Sequence, residues 1–212
     1  MRLRHGIPVA LLVSLVVTAP AAAVLTAEGG GFWVQRSGGS WQENPVAAFG
    51  PEGVSLVVWQ DTRHGVQGQL FGPEGTKRGP VLDLVSNRLP SIPGEGLATF
   101  AVEPAAAFLP GGDFVLVWAQ ERGQLRVAPF HRDFDLASRK VMAQRFRPNG
   151  EPAARRFELS SSTERLESWP KIHRLADGLL LAVWSSEGET SDDSALIARH
   201  VELGEDRVAE LV

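Results

Sequence analysis

The sequence contains no cysteine and no tyrosine among its 212 residues. Without cysteine the chain can form no disulfide and carry no lipid on a cysteine, so the packing of its core must hold the fold together. The missing tyrosine argues against a sialidase-like centre, where a tyrosine acts as the nucleophile. The nucleophile-elbow, P-loop and dinucleotide-binding motifs are absent too, and the histidines lack the spacing of zinc ligands. We therefore expect no metal, no cofactor and no recognisable catalytic set.

Positive charge is scarce, since 21 lysines and arginines stand against 25 aspartates and glutamates. The resulting net charge of −4 argues against a nucleic-acid or anionic-membrane partner, because such binding needs clustered positive charge.

Long apolar runs are missing except near the N-terminus, where Arg2 and Arg4 precede the apolar stretch 7–20. That stretch is shorter than the roughly 20 residues that cross a bilayer, and small residues follow it. The pattern predicts a signal peptide over residues 1–23 and a secreted or periplasmic mature chain without a membrane span. Its removal takes away two arginines and no acidic residue, so the net charge falls from −4 to −6.

Three segments of the remaining chain align without a gap. They are "PVAAFGPEGVSLVVW" (45–59), "PAAAFLPGGDFVLVW" (104–118) and "PKIHRLADGLLLAVW" (170–184). In each segment proline and tryptophan are 14 residues apart, and a glycine occupies the ninth place: Gly53, Gly112 and Gly178. Each segment therefore reads as a β-hairpin, with a proline at its start, a turn that uses the glycine, and an apolar second strand ending in tryptophan.

Two further strands follow each hairpin, because "LDL" (82–84), "FEL" (157–159) and "AEL" (209–211) alternate apolar and acidic residues after a shared turn pattern. We predict an all-β fold of three four-stranded antiparallel blades, forming an incomplete or open propeller. The three repeats cover residues 45–212, and a leader (24–44) with one or two strands, among them Phe32–Arg36, is expected to form a partial blade. The repeats are 45–86, 104–161 and 170–212.

The pattern P-x-A-A-x(2)-P-x-G-x(4)-V-W-x-D-x-R of the first repeat resembles the tandem blade repeats of large secreted bacterial proteins. More loosely, it is similar to the blades of TolB-type propellers. In the later copies Gln120 and Ser186 replace Asp61, and Gly188 replaces Arg63. The resemblance implies a propeller fold and says almost nothing about activity.

The repeated tryptophans Trp59, Trp118 and Trp184 are predicted to be core residues between blades, because an active site is usually made once and a packing position in every unit. Asp61 and Arg63 are then expected to close the turn that follows the strand.

The connections vary in length at one end of the blades only. Trp59 to Phe71 spans 12 residues, Trp118 to Phe146 spans 28, and Trp184 to Val201 spans 17. Because loops on a rigid scaffold carry binding residues, this end is the expected functional face. Its loops 119–142 and 185–196 supply candidate ligand-binding residues, although their opposite charges could simply neutralise each other. The candidates are Arg122, Arg126, His131, Arg132, Arg139, Asp192 and Asp193.

Three blades are fewer than the four to eight of a closed propeller. The chain could form an open arc, belong to a longer protein, or close a six-bladed ring as a homodimer, so a protein partner or homo-oligomer is expected at the open blade edges. The missing catalytic set favours a non-enzymatic interaction or structural module. The alternative is a carbohydrate- or anion-binding or hydrolysing propeller with its site on the variable face.

Overall fold

The computed structural model describes residues 31–36, 39–91, 95–128, 131–162, 164–188, 193–203 and 208–210. The predicted signal peptide lies outside these residues. Residues Trp33–Val212 form one compact unit. Nowhere in the described chain is a helix both long and apolar enough to cross a membrane.

The unit consists of three four-stranded antiparallel sheets, each with its strands in chain order, as the sequence predicts. The first sheet contains β1 (Gln42–Phe49), β2 (Ser55–Asp61), β3 (Gly65–Phe71) and β4 (Lys77–Ser86). The second contains β5 (Glu95–Phe108), β6 (Phe114–Ala128), β7 (His131–Phe146) and β8 (Phe157–Glu158). The third contains β9 (Leu166–Arg174), β10 (Leu180–Glu187), β11 (Ser194–Leu203) and β12 (Val208–Glu210). One 3-10 turn, Pro51–Gly53, connects β1 to β2.

Two apolar interfaces hold the sheets side by side, with the second sheet in the middle. Leu116 and Trp118 of β6 pack towards the first sheet, whereas Val115 and Val117 of the same strand pack towards the third. Over residues 114–119 of β6 the middle sheet is thus buried on both faces, which is why this part of the strand is continuously apolar. The arrangement is an open propeller-like fold.

Each first strand contains a β-bulge opposite the tryptophan of its second strand. At each bulge two residues of the first strand face one tryptophan, and the second of the two is the repeated proline, which cannot donate to the ladder. The residue before the proline has a left-handed backbone in all three sheets, with φ of 51°, 54° and 55°. Such a conformation costs roughly 1–2 kcal/mol for a residue with a Cβ atom. These bulge residues are Asn44, Glu103 and Trp169.

Two expectations from the sequence are wrong. Segment 119–142 is not a loop, because β6 and β7 continue as a paired hairpin from Ala119↔Val141 to Ala128↔His131. Its apolar residues Leu125, Val127, Phe134 and Leu136 alternate with polar ones, which suits a ladder. We call the part of the second sheet formed by 95–102, 119–128 and 131–141 the extension.

The leader does not form the expected strand Phe32–Arg36, whereas the partial blade expected over 24–44 stays a prediction, because residues 24–30 and 37–38 lie outside those described. Residues 31–36 and 39–41 form no strand, and β1 begins only at Gln42. The glycines of "GGGF" and "SGGS" disfavour a strand, and Arg36 instead lies 4.5 Å above the exposed Trp33 ring.

Candidate functional site

The repeated tryptophans are buried. Trp59, Trp118 and Trp184 expose 3%, 0% and 2% of their surface. Trp118 belongs to the interface between the first and second sheets and Trp184 to that between the second and third. Their positions leave no ring surface for a ligand, so the site must be sought elsewhere.

Asp61 closes the turn after β2. Its Oδ1 accepts hydrogen bonds from the backbone N–H groups of Arg63 (2.9 Å) and His64 (3.0 Å), and its Oδ2 accepts one from Ser40 Oγ at 2.7 Å. His64 Nδ1 lies 2.9 Å from Oδ1. Burial acts to raise the pKa of Asp61, but these hydrogen bonds outweigh it and leave the pKa lowered. The carboxylate is therefore fully used in fixing the turn.

A second carboxyl group, Glu103, lies at the bulge of the middle sheet and is 8% exposed. Its Oε2 accepts a hydrogen bond from the backbone N–H of Trp169 at 2.6 Å. Arg139 donates to the Glu121 carboxylate and to Ser168 Oγ, the latter at 2.8 Å. We call Glu103, Glu121, Arg139, Ser168 and Trp169 the Glu103 cluster.

The pKa of Glu103 is raised. Burial is the main cause, and the negative charge of Glu121 adds to it. The hydrogen bond from Trp169 and the positive charges of Arg139 and Lys171 oppose the shift without cancelling it. Of the carboxyl groups at this end of the sheets, Glu103 is thus poised to hold a proton at higher pH than an ordinary glutamate.

The three bulges are joined in a row. Gln60 Oε1 accepts hydrogen bonds from Asn44 Nδ2 at 3.2 Å and from the Glu103 backbone N–H at 3.3 Å. The bond between Glu103 and Trp169 continues the row to the third sheet. Beyond the row, the first strands line a groove of 390 Å³ made of 46–49, 105–108 and 171–174.

A cavity of 220 Å³ adjoins the row on the face where connection lengths vary. Phe100 and Phe134 of the extension form part of its wall, with their rings edge to face at a centroid distance of 5.0 Å. Its polar lining comes from both sheets: Gln60, Asp61, Thr62, Asn87 and Glu121. Its apolar lining is completed by Ala101, Val102 and Leu125. Aromatic walls with a few placed polar groups are typical of small-ligand sites.

A cavity of 550 Å³ occupies the opposite end, among the turns that join first to second strands. Phe108, Leu70 and Val54 give it apolar walls, and Glu52 and Arg78 are its charged lining residues. No hydrogen bond or ion pair of these two side chains is found among the described residues, so this end offers less chemistry than the Glu103 cluster.

The four predicted ligand-binding residues whose side chains are described do not meet in one cavity or cluster. Arg139 belongs to the Glu103 cluster, and Arg122 lines a different cavity. Arg126 pairs with Asp135 at 3.2 Å across the hairpin, and Asp193 pairs with Arg165 at 2.8 Å, so these charges are neutralised locally.

The other predicted residues give no test of the site. His131 and Arg132 begin β7, but their side chains are not among those described, and Asp192 lies outside the described residues. No group of three or more residues suited to metal binding is found in the described part of the chain.

Sequence reasoning missed Glu103, Glu121 and the aromatic wall. One signal was available, because a charged residue precedes the repeated proline only in the second copy, where the others have Asn44 and Trp169.

No known family pattern and no curated protein sequence matches the chain. Among solved structures, an ulvan lyase of polysaccharide lyase family PL25 matches 80% of this chain and 43% of its own, with 11% identity and a TM-score of 0.48. An exo-1,5-α-L-arabinanase from a bovine ruminal metagenomic library matches 85% of this chain and 60% of its own, with 11% identity and a TM-score of 0.47. A GH43 endo-arabinanase from Bacillus licheniformis matches 80% of this chain and 74% of its own, with 11% identity and a TM-score of 0.28. The chain spans about half the length of the first two proteins, and likenesses this distant do not bear on the site.

Proposed function

We propose that this protein binds a carbohydrate, non-covalently, at the Glu103 cluster and the adjoining 220 Å³ cavity. The observation that carries the proposal is the combination of a buried carboxyl with a raised pKa, an aromatic cavity wall and an exposed tryptophan, Trp169, whose backbone N–H binds that carboxyl. All three lie on the face where the connections between strands vary.

The chemistry of the site matches that of a sugar ring. Sugars present hydroxyl groups that both donate and accept hydrogen bonds, together with apolar C–H faces. Glu121 can accept such bonds, and Gln60 Nε2 and the Thr62 hydroxyl can donate them. Phe134 and the Trp169 ring, which is 54% exposed, offer flat apolar surface for the C–H faces. At 220 Å³ the cavity is smaller than the ~300 Å³ of drug-sized ligand pockets, so it suits a single ring of a longer chain.

Hydrogen bonding at the other carboxylates supports binding rather than hydrolysis. Glycoside hydrolysis commonly requires two carboxyl groups that are both free to act on the sugar. Glu121 is paired with Arg139, Asp61 is held by its turn, and Glu167 accepts hydrogen bonds from Trp184 and Ser186. Because these three described carboxylates are already engaged, we propose Glu103 as a hydrogen-bonding group for the sugar rather than as one of a catalytic pair.

The test is calorimetric titration of the protein with a panel of arabino-, xylo-, gluco- and galacto-oligosaccharides. We expect saturable binding to at least one of them, and at least about tenfold weaker binding by Trp169→Asn, since asparagine tolerates the left-handed backbone while lacking the ring. Trp33→Ala, at an exposed tryptophan outside the site, is the matched control and should leave the affinity unchanged. Absence of binding across the panel, or equal loss in both variants, would refute the proposal.

Three expectations from the sequence are retained here as proposals. They are a cleaved signal peptide over residues 1–23 with a secreted or periplasmic location, kinship with secreted bacterial blade repeats and TolB-type propellers, and association through the open blade edges. N-terminal sequencing of the exported protein tests the first. Sedimentation equilibrium of the mature chain tests the last, because a monomer at all concentrations would rule out the ring-closing dimer.

A further inference from the structure

A second cavity, of 350 Å³, lies where the extension meets the end of the first sheet. Three arginines from separate segments line it: Arg88 after β4, Arg122 in β6 and Arg156 before β8. The other described residues of its lining include no acidic one; they are Val85, Ser86, Leu97, Thr99, Ala101 and Gln120. We call it the arginine cavity.

The backbone places Arg88 and Arg122 on either side of Thr99. Arg88 and Thr99 exchange backbone hydrogen bonds of 2.8 Å in both directions, which ties the link after β4 to the extension. Thr99 is in turn the register partner of Arg122. Thr99 therefore stands between Arg88 and Arg122, and the tertiary structure, rather than sequence proximity, assembles the cavity.

Five other arginines have a carboxylate partner, whereas the three arginines of the arginine cavity have none among the described residues. Arg126, Arg139, Arg145, Arg147 and Arg165 each form an ion pair with a carboxylate. Among the described residues, no ion pair or hydrogen bond involves the side chains of Arg88, Arg122 or Arg156. Three positive charges that line one cavity repel each other, so an anion bound among them would gain from all three.

We propose that the arginine cavity binds a tetrahedral oxyanion, the sulfate or phosphate ester group of a small ligand. Guanidinium groups match the oxygen atoms of such anions in bidentate pairs, and three of them can surround the three terminal oxygen atoms of the ester group, whereas a flat carboxylate offers only two. The Thr99 and Ser86 hydroxyls and the Gln120 amide can donate further hydrogen bonds. Leu97 and Val85 supply apolar wall for the carrier of the ester. This inference does not depend on carbohydrate binding at the Glu103 cluster, since it uses different side chains.

The experiment measures thermal stability and calorimetric binding with inorganic sulfate and inorganic phosphate, against sodium chloride at equal ionic strength. We expect saturable stabilisation by the oxyanions beyond that of chloride, as follows from binding to the folded state alone. Arg122→Gln and Arg88→Gln should each weaken binding by about tenfold or more, because each removes a charge-assisted hydrogen-bonding group. Arg122→Lys, which keeps the charge and loses the bidentate fork, should fall between these variants and the unaltered protein.

Arg126→Gln is the matched control, because Arg126 lies four residues further along β6 but pairs with Asp135. It should bind as the unaltered protein does. All three arginines of the cavity are exposed, so their glutamine variants are expected to fold, and an unchanged melting temperature in chloride would show it.

Glucose 6-sulfate and glucose 6-phosphate distinguish the two sources of the oxyanion, and saturable binding of either one supports the proposal. The proposal would be overturned by any of three results. Chloride could stabilise the protein as much as sulfate does, or Arg126→Gln could weaken oxyanion binding as much as Arg122→Gln does. The third result is binding of the inorganic ions without binding of either ester. Loss of sugar binding in Trp169→Asn leaves this outcome unaffected, so the two proposals fail separately.

Discussion

The second and third sheets carry the same buried tryptophan opposite the same bulge, yet the two indole N–H groups have different surroundings. Trp184 Nε1 donates to Glu167 Oε2 at 2.6 Å, and Ser186 Oγ donates to the other carboxylate oxygen at 3.2 Å. Trp118 Nε1 is buried and has no hydrogen-bond partner in the described part of the chain. A repeated packing position therefore fixes where the ring lies, but not whether its polar atom is satisfied.

The two indole N–H groups differ because the surroundings of Trp118 are apolar and those of Trp184 are polar. Trp118 lies in the middle of an apolar interface with Phe114 and Phe146, whose rings stack at 5.6 Å, and apolar contact has replaced hydrogen bonding there. Trp184 lies near a polar network in which Arg165 binds both Ser186 and Asp193. An unpartnered buried donor costs roughly 1–3 kcal/mol, which the burial of a whole indole can offset.

The largest expected effect is that of Trp118→Ala. It should lower the free energy of unfolding by about 3–5 kcal/mol, because it empties a fully buried site between two sheets. Urea denaturation followed by circular dichroism measures it. Trp41→Ala, at a tryptophan that is 75% exposed, is the control and should change stability by less than about 0.5 kcal/mol. Comparable losses in the two variants would contradict the assignment of Trp118 to the core.

A smaller difference in stability is expected between phenylalanine variants of the two tryptophans. Trp184→Phe should destabilise the protein by about 1–3 kcal/mol more than Trp118→Phe, since it removes the donor to Oε2 of the buried Glu167 carboxylate and leaves only the Ser186 bond to Oε1, whereas Trp118→Phe breaks no hydrogen bond. Both variants lose similar ring area, so the difference between them isolates the polar term. Equal losses would show that the Trp184–Glu167 bond adds nothing to the packing.

The smallest expected effect is a change of pH dependence at Glu103. Because burial raises its pKa in the folded state, the stability that Glu103 contributes is present below its unfolded pKa and is lost as the pH rises through the folded value. In Glu103→Gln this loss should disappear, so the variant gains stability relative to the unaltered protein as the pH rises. The amide can still accept the Trp169 hydrogen bond.

Unfolding titrations of Glu103→Gln over a range of pH values test this. Glu74→Gln, at an exposed carboxyl in the turn after β3, is the control for replacing a glutamate by glutamine. A stability difference between Glu103→Gln and the unaltered protein that does not change with pH would mean that Glu103 titrates alike in the folded and unfolded states.

Local sequence patterns are sufficient to predict most of the fold. The alternation of residues and the turn glycines predicted the strand order of all three sheets, and Gly53, Gly112 and Gly178 do have positive φ, of 74°, 88° and 90°. The sequence predicts a loop for residues 119–142, because the many charged residues there make the alternation of apolar and polar residues hard to recognise. The bulges were also missed, since their effect on pairing depends on the partner strand and is not visible in one strand alone.

The candidate sites could be predicted much less well. Of the predicted ligand-binding residues, Arg122 lines the arginine cavity and Arg139 belongs to the Glu103 cluster, so the two are not in one site. Glu103 meets Trp169 across 66 positions of sequence, and Arg88, Arg122 and Arg156 come from three segments. Contacts of this kind are set by how the sheets pack, which a reading of local periodicity does not include.

The bulges also affect which positions of the sheets can accept substitutions. In a regular strand every side chain belongs to one of two faces, so altering it disturbs either the core or the neighbouring sheet. Asn44, Glu103 and Trp169 are extra residues in their ladders, and they are already three different types: an amide, an acid and an indole. We therefore expect the row of bulges to accept other side chains at these three positions, provided that each new residue tolerates a left-handed backbone, while the strands around them keep their register.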